Sequence, residues 1–493
     1  MLAEWFRAAK QSVQADPSDK ALGNRMRTMP PTVEYAMHRF RSSLLIVAPL
    51  SLLVLPGFLP GGTAHAVTRV VTHCNDSGAG SLRAAVASAL SGDVIDLRSL
   101  GCSRIVLNGQ ITVPQRDLRL LGRGRLALTV DGNRAGRVFA HNGTGTLAID
   151  QLSISNGLST VAFPNPDEGA GGCIHSPGGT VRLWRSRVHA CEAYSENYME
   201  VTLYGGGIAA AHVVLISSSV FNNKAGLYGN GGGISAGSVR LYHSQVYGNA
   251  VEFKGGGILA DEVTASYSTI HGNRANRGGG IAAQRLTLNK STVSNNRALL
   301  RNFYAGYEEN EAGGVLVEGS GRSVVVDSTV SGNTAFNYSA GAFHNGSVAI
   351  YNSTITDNLE NYPEGDSGYH PPEYFGRGAL YAPMMRLEGA IVAGNRRLLG
   401  APAYDIAPGS NITGSHNLIG YSQVPTPADT LAITDPRVKP LADNGGPTRT
   451  HRLKGDSPAL DRGNNVLERQ YDQRGPGFPR VMGAFPDMGS FER

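Results

Sequence analysis

From Gly171 to Asn358 the chain alternates short apolar strands with polar bends, and the alternation repeats in register. Each copy opens on glycines that lead into Val, Ile or Leu, and closes on Ser-x-Val/Ile running into Asn. The entry reads Gly-Gly-Gly-Ile at 205–208, 231–234, 255–258 and 278–281, with Gly-Gly-Cys-Ile at 171–174 and Gly-Gly-Val-Leu at 313–316. The close reads Ser186-Arg-Val-His, Ser218-Ser-Val-Phe, Ser244-Gln-Val-Tyr, Ser268-Thr-Ile-His, Ser291-Thr-Val-Ser, Ser328-Thr-Val-Ser and Ser353-Thr-Ile-Thr. Val220, Val246, Ile270 and Val293 mark copies 26, 24 and 23 residues apart. A period in the twenties made of strand-like pieces predicts a solenoid, because one such unit cannot bury its apolar face alone and must stack on the next. Val239, Leu241 and Val246 are then expected to point inward, with the polar residues between them outside or at a bend. Coils stacked about 4.8 Å apart, roughly ten to twelve of them, would make a rod on the order of 50–60 Å long.

The polar positions of the repeat read as structural. Asn recurs three residues after the inward Val/Ile, as Asn223, Asn249, Asn273, Asn296, Asn333 and Asn358. A tight bend between strands favours a left-handed residue, which Asn tolerates, and stacked amides can hydrogen-bond along the rod as a ladder. Cys191 falls at the same phase and is free to bond Cys173 of its own coil. The triple glycines lack the Lys-Ser/Thr and the strand-to-helix context of a phosphate loop. Close backbone approach and positive φ explain them better.

Before the repeats, Val67–Cys74 reads as a strand and Ser81–Leu90 as a helix with Ser81 at its N-cap and Gly92 beyond its end. A solenoid's terminal coil needs such a cover. Short strands at 105–107, 111–113, 118–121, 126–130, 147–149 and 152–154 read as the first, less regular coils. Further upstream, Met37-His38-Arg39-Phe40-Arg41, an apolar run from Leu44 to Leu59 and Ala64-His65-Ala66 form the pattern of a secretory signal peptide. The expected organisation is therefore an upstream extension (1–36), a signal peptide (37–66), cap and first coils (67–155), regular coils (156–400), and last coils with a tail (401–493).

Composition agrees. The 493 residues include 64 Gly and are 17% charged, which suits stacked β-coils better than helices. The first 66 residues hold 7 of the 44 Lys/Arg and 4 of the 39 Asp/Glu, so the rest carries a net charge of only +2. No basic cluster interleaved with aromatics remains, which argues against a nucleic-acid partner. Four cysteines in an exported chain suggest two bridges, most simply Cys74–Cys102 and Cys173–Cys191. No Cys or His spacing suits a metal, so no cofactor is expected.

The middle of the chain resembles the right-handed parallel β-helix of the pectin-lyase-like superfamily over roughly residues 70–430. Asp76-Ser-Gly-Ala-Gly-Ser-Leu-Arg-Ala-Ala-Val with Gly92-Asp-Val-Ile-Asp-Leu resembles the N-terminal signature of exported bacterial β-helix proteins. Asn417-Leu-Ile-Gly, Pro440-Leu-Ala-Asp-Asn-Gly-Gly-Pro-Thr-Arg-Thr-His451, Ser457-Pro-Ala-Leu-Asp461, Asp472-Gln-Arg-Gly475 and Asp487-Met-Gly-Ser-Phe-Glu492 resemble the choice-of-anchor Q domain. The resemblance implies a bacterial surface or extracellular protein, read here as a monomer without a transmembrane anchor in its mature form.

Fold alone warrants no activity. The Val-Trp-Ile-Asp-His-like strand and Arg-x-Pro-x-x-Arg turn of pectate lyases are absent, as are the Asn-Thr-Asp, Asp-Asp, Gly-His-Gly and Arg-Ile-Lys motifs of polygalacturonases. Three insertions, Ala193–Tyr204, Leu299–Ala312 and Leu359–Arg377, share one phase of the coil and so emerge on one side of the rod. They carry Tyr194, Tyr198, Tyr204, Tyr304, Tyr307, Glu308, Glu309, Tyr369 and Tyr374. Aromatic faces and carboxylates in such loops are expected to bind a polysaccharide or another cell-surface component. A non-catalytic surface binder is the preferred reading; a polysaccharide lyase or glycoside hydrolase is the alternative.

Overall fold

The computed structural model describes residues 66–161, 169–195, 203–226, 229–298, 312–336, 342–344, 346–361, 378–397 and 404–493. Residues 1–65, which hold the upstream extension and almost all of the expected leader, lie outside them. The chain divides into two compact units, Met1–Thr63 and Ala64–Arg493. The second is a parallel β-helix of the right-handed class, in keeping with the hand that parallel crossovers take.

Three parallel sheets run along it. Sheet A takes the long strands, among them Ile208–Ile216, Ile234–Tyr242, Ile258–Ser266 and Ile281–Asn289. Each is nine residues, so the two strand pieces expected from Gly-Gly-Gly-Ile-x-Ala and Val239–Val246 are one strand followed by a bend. Sheet B stacks three-residue strands such as Ser219–Phe221, Gln245–Tyr247 and Thr269–His271 in strict register. Sheet C is made of shorter strands, such as Lys224–Ala225 and Arg274–Ala275. Two residues are too few to give a periodic signal, so sheet C has no counterpart in the strands read from sequence. The insertions also begin later than expected, because Glu192–Ser195 and Leu359–Asn361 are themselves strands.

Sheet B stacks 13 strands, a rod of roughly 60 Å at about 4.8 Å per strand. Val239, Val246, Val263, Ile270, Leu286 and Val293 point inward and are fully buried. The helix spans Leu82–Ser88, with the Ser81 hydroxyl accepting from the Ala84 N–H at 3.1 Å. It buries Leu82, Ala85 and Val86 over the first coil. Disulfides join Cys74 to Cys102 and Cys173 to Cys191.

Both ordered turns have the same construction: a left-handed residue followed by a side chain that hydrogen-bonds along the stack. Between sheets B and C the left-handed positions are Asn222, Gly248, Gly272 and Asn295. The ladder asparagines follow them, so the bend conformation expected of those asparagines belongs one residue earlier. Asn223 Nδ2 donates to Asn249 Oδ1 at 2.9 Å, Asn249 to Asn273 at 3.0 Å, Asn273 to Asn296 at 3.0 Å and Asn296 to Asn333 at 3.0 Å. The ladder continues through Asn358 and Asn395 and ends on the Asp405 carboxylate, 2.7 Å from Asn395 Nδ2. Between sheets A and B the left-handed residues are Arg185, Ser217, His243, Tyr267 and Lys290. There the following serines form a second ladder: the N–H of Ser218, Ser244 and Ser268 donates to the hydroxyl of the next coil's serine at 3.1, 3.1 and 3.2 Å.

One glycine triplet shows why the entry to sheet A is Gly-Gly-Gly. Gly255 is left-handed at φ +69°. A Cβ on Gly256 would lie 2.6 Å from the Arg274 backbone, and one on Gly257 would lie 2.9 Å from the Asn273 amide. The third glycine therefore makes room for the ladder.

Candidate functional site

The outward rows of sheet B change character along the rod. In coils 187–271 they carry Arg187, His189, Ser219, Phe221, Gln245, Tyr247, Thr269 and His271. From the next coil on they carry only Thr292, Ser294, Thr329, Ser331, Thr354 and Thr356, all nearly inaccessible. The C-terminal tail lies on these small residues. Thr292 Oγ1 donates to the Arg449 carbonyl at 2.7 Å, Ser331 pairs with His451 at 2.7 Å, and Thr329 with Gln473 at 2.6 Å. Lys290 Nζ reaches Asp327 at 3.0 Å and the carbonyls of Tyr471 and Asp472. Within the tail, Arg474 sits between Phe478 and Phe491, 4.0 and 3.8 Å from their ring centroids, and pairs with Asp472 at 2.7 Å.

The coils that the tail does not cover form the floor of an open groove of about 520 Å³. Its lining includes Arg125 and Leu126 of the 124–127 loop, Arg185 and His243 of the A–B corner, and Arg187, Gln245 and Tyr247 of sheet B. Arg125 leans across to donate to the Ser217 carbonyl at 2.7 Å. Arg185 lies over the Trp184 ring, 4.8 Å from its centroid. Leu126, 80% exposed, forms an apolar lip. The lining contains no carboxylate. Nearby acids are already engaged: Asp131 by Arg104 at 2.9 Å, and Asp150 by Arg119 at 2.6 Å. Among the described residues none of the three groove arginines has an ion-pair partner, so the groove presents fixed positive charge to solvent.

Beside it runs a column of rings. His189, Phe221, Tyr247 and His271 stack at centroid spacings of 4.8, 4.8 and 5.0 Å. Their faces are turned to one another, which leaves edges rather than faces for a ligand. Burial, reinforced by Arg187, lowers the His189 pKa; burial, reinforced by Arg449, lowers that of His271. A further stack, His243 on Tyr267 at 4.9 Å, braces the corner.

The groove was not among the expected site residues. Tyr194 lies in the sheet C strand Glu192–Ser195, half-buried. Tyr204, 44% exposed, bridges Ala170 and Asn230 just before Gly205. Both sit at the C–A corner, away from the groove. Tyr198, Tyr304, Tyr307, Glu308, Glu309, Tyr369 and Tyr374 lie outside the described residues. A signal for the groove was present in the repeats: Ser-Arg-Val-His, Ser-Ser-Val-Phe, Ser-Gln-Val-Tyr and Ser-Thr-Ile-His give way to Ser-Thr-Val-Ser at Ser291. No group of His, Cys, Asp or Glu among the described residues could hold a metal ion, and no helix there is long and apolar enough to cross a membrane.

These features define a parallel β-helix with an uncovered, arginine-lined stretch of sheet B. No protein-family model matches the chain, and no curated protein matches it. Among solved structures it is similar to the crystal structure of pectate lyase Pel9A, at 14% sequence identity and a TM-score of 0.43 over 87% of this chain and 98% of that one.

Proposed function

We propose that this is an exported, non-catalytic β-helix protein that binds an acidic polysaccharide in the sheet B groove. The observation that carries the reading is the convergence of Arg125, Arg185 and Arg187 on one open groove whose lining holds no carboxylate. Guanidinium groups match carboxylate geometry in a bidentate way, and Gln245, Ser219 and Tyr247 supply hydrogen-bonding partners for sugar hydroxyls. Export is supported by the leader pattern and by the two disulfides, which persist in oxidising compartments. The reading of the tail as choice-of-anchor Q-like is supported by the part its motif residues play, since Asp472, Gln473, Arg474 and Glu492 make the tail's internal contacts or its contacts with the rod. The loops at the C–A corner, with Tyr194 and Tyr204, are a second candidate surface for the same ligand class.

Affinity electrophoresis of the purified protein through acidic and neutral polysaccharides tests the reading. Retardation by acidic gels alone, lost in Arg185→Ala/Arg187→Ala, is expected. Equal retardation by neutral gels would sink the acidic preference, and ultraviolet-absorbing unsaturated products would sink the non-catalytic one.

A further inference from the structure

The outward row of sheet C carries a second line of charge. Glu192, Lys224, Ala250, Arg274 and Arg297 are successive register partners, one per coil. Glu192 is already engaged by Arg134 at 2.8 Å and by Lys224 at 3.7 Å. Arg274 and Arg297 are exposed, and among the described residues neither has a carboxylate within ion-pair distance. They stand in adjacent strands about 4.8 Å apart, where like charges directly opposite one another destabilise the pair. An anion running along the row would relieve that repulsion. Glu252 is the carboxylate beside the row, and burial pushes its pKa up, against the pull of Lys224 and Arg274.

This row and the groove occupy neighbouring faces of the same coils. The left-handed corner at Asn222, Gly248, Gly272 and Asn295 separates them, and its side chains are short. Resting on the groove reading above, we propose that Lys224, Arg274 and Arg297 form a second, separate contact surface for acidic polysaccharide. The protein is then bivalent for a long chain and monovalent for a short one. Linking two weak contacts on one polymer raises apparent affinity by roughly 10²–10⁴ without any new contact, and exposed charges of this kind are screened by salt.

The test compares long-chain polygalacturonate with tetragalacturonate, using the intact protein and a Lys224→Ala/Arg274→Ala/Arg297→Ala variant. All three side chains are exposed, so the variant is expected to keep its melting temperature; Arg274→Lys/Arg297→Lys, which keeps the charge, serves as the control. The expected result is at least a tenfold loss of affinity for the polymer, a weaker salt dependence, and unchanged binding of the tetrasaccharide. Polymer binding unchanged in the variant would overturn the second surface and leave the groove standing. Loss of tetrasaccharide binding in the same variant would overturn the separation of the two surfaces. If neither probe binds the unmodified protein, the groove reading itself falls.

Discussion

At the scale of single residues, the turns are held by side chains whose hydrogen-bonding capacity is fully used. Asn273 accepts from the N–H and the Nδ2 of Asn249 and donates to the Val246 carbonyl and to Asn296. Asn273→Ala would strand partners on both neighbouring coils and is expected to cost about 3 kcal/mol, read by chemical denaturation. Asp405 ends the ladder because both its oxygens must accept: Oδ1 from Asn395, and Oδ2 from the Tyr421 N–H at 2.8 Å. Burial raises its pKa to about 6. A raised folded value means that this group's contribution is greatest in acid and is lost as the pH rises through about 6. Asp405→Asn would set an amide donor against the Tyr421 N–H, so it is expected to destabilise by about 1–3 kcal/mol even where the charge is removed. The sign is opposite for His271. Burial lowers its pKa, so its contribution is present above about 6.5 and falls away as the pH drops through the folded value. Thermal melts should therefore show His271→Phe close to the parent at pH 8 and above it at pH 5.

At the scale of elements, the switch from large to small outward residues on sheet B decides where the tail can lie. Ser331→Tyr would place a ring where His451 now packs and accepts a hydrogen bond. Limited proteolysis is expected to release the tail of that variant while sparing the rod; an undigested tail would contradict the docking role given to the small residues. The strands of sheets A and B were legible in sequence because Val and Ile recur with a fixed period and point to one core. Sheet C was not, since its two-residue strands carry no periodicity. The groove was written in residues already in view, Arg187, Gln245 and Tyr247, but its walls come from far apart in the chain. Arg125 and Ser217 meet only because the 124–127 loop folds over coils that lie some 60–120 residues further on. The left-handed conformation of Arg185 and His243 is likewise no mark of function, because every regular coil repeats it at that corner.

At the scale of the molecule, one rod carries a capping helix at its start, a tail along part of one face and an uncovered basic stretch on the rest. The claim at the centre of the account is that this stretch, rather than the loops at the C–A corner, is where a polysaccharide binds. The most direct test is a crystal structure of the protein with an acidic oligosaccharide. The account predicts sugar density between Arg125, Arg185 and Arg187, with carboxylates facing the guanidinium groups. Density confined to the C–A corner beside Tyr194 and Tyr204, with the groove left to solvent, would contradict it.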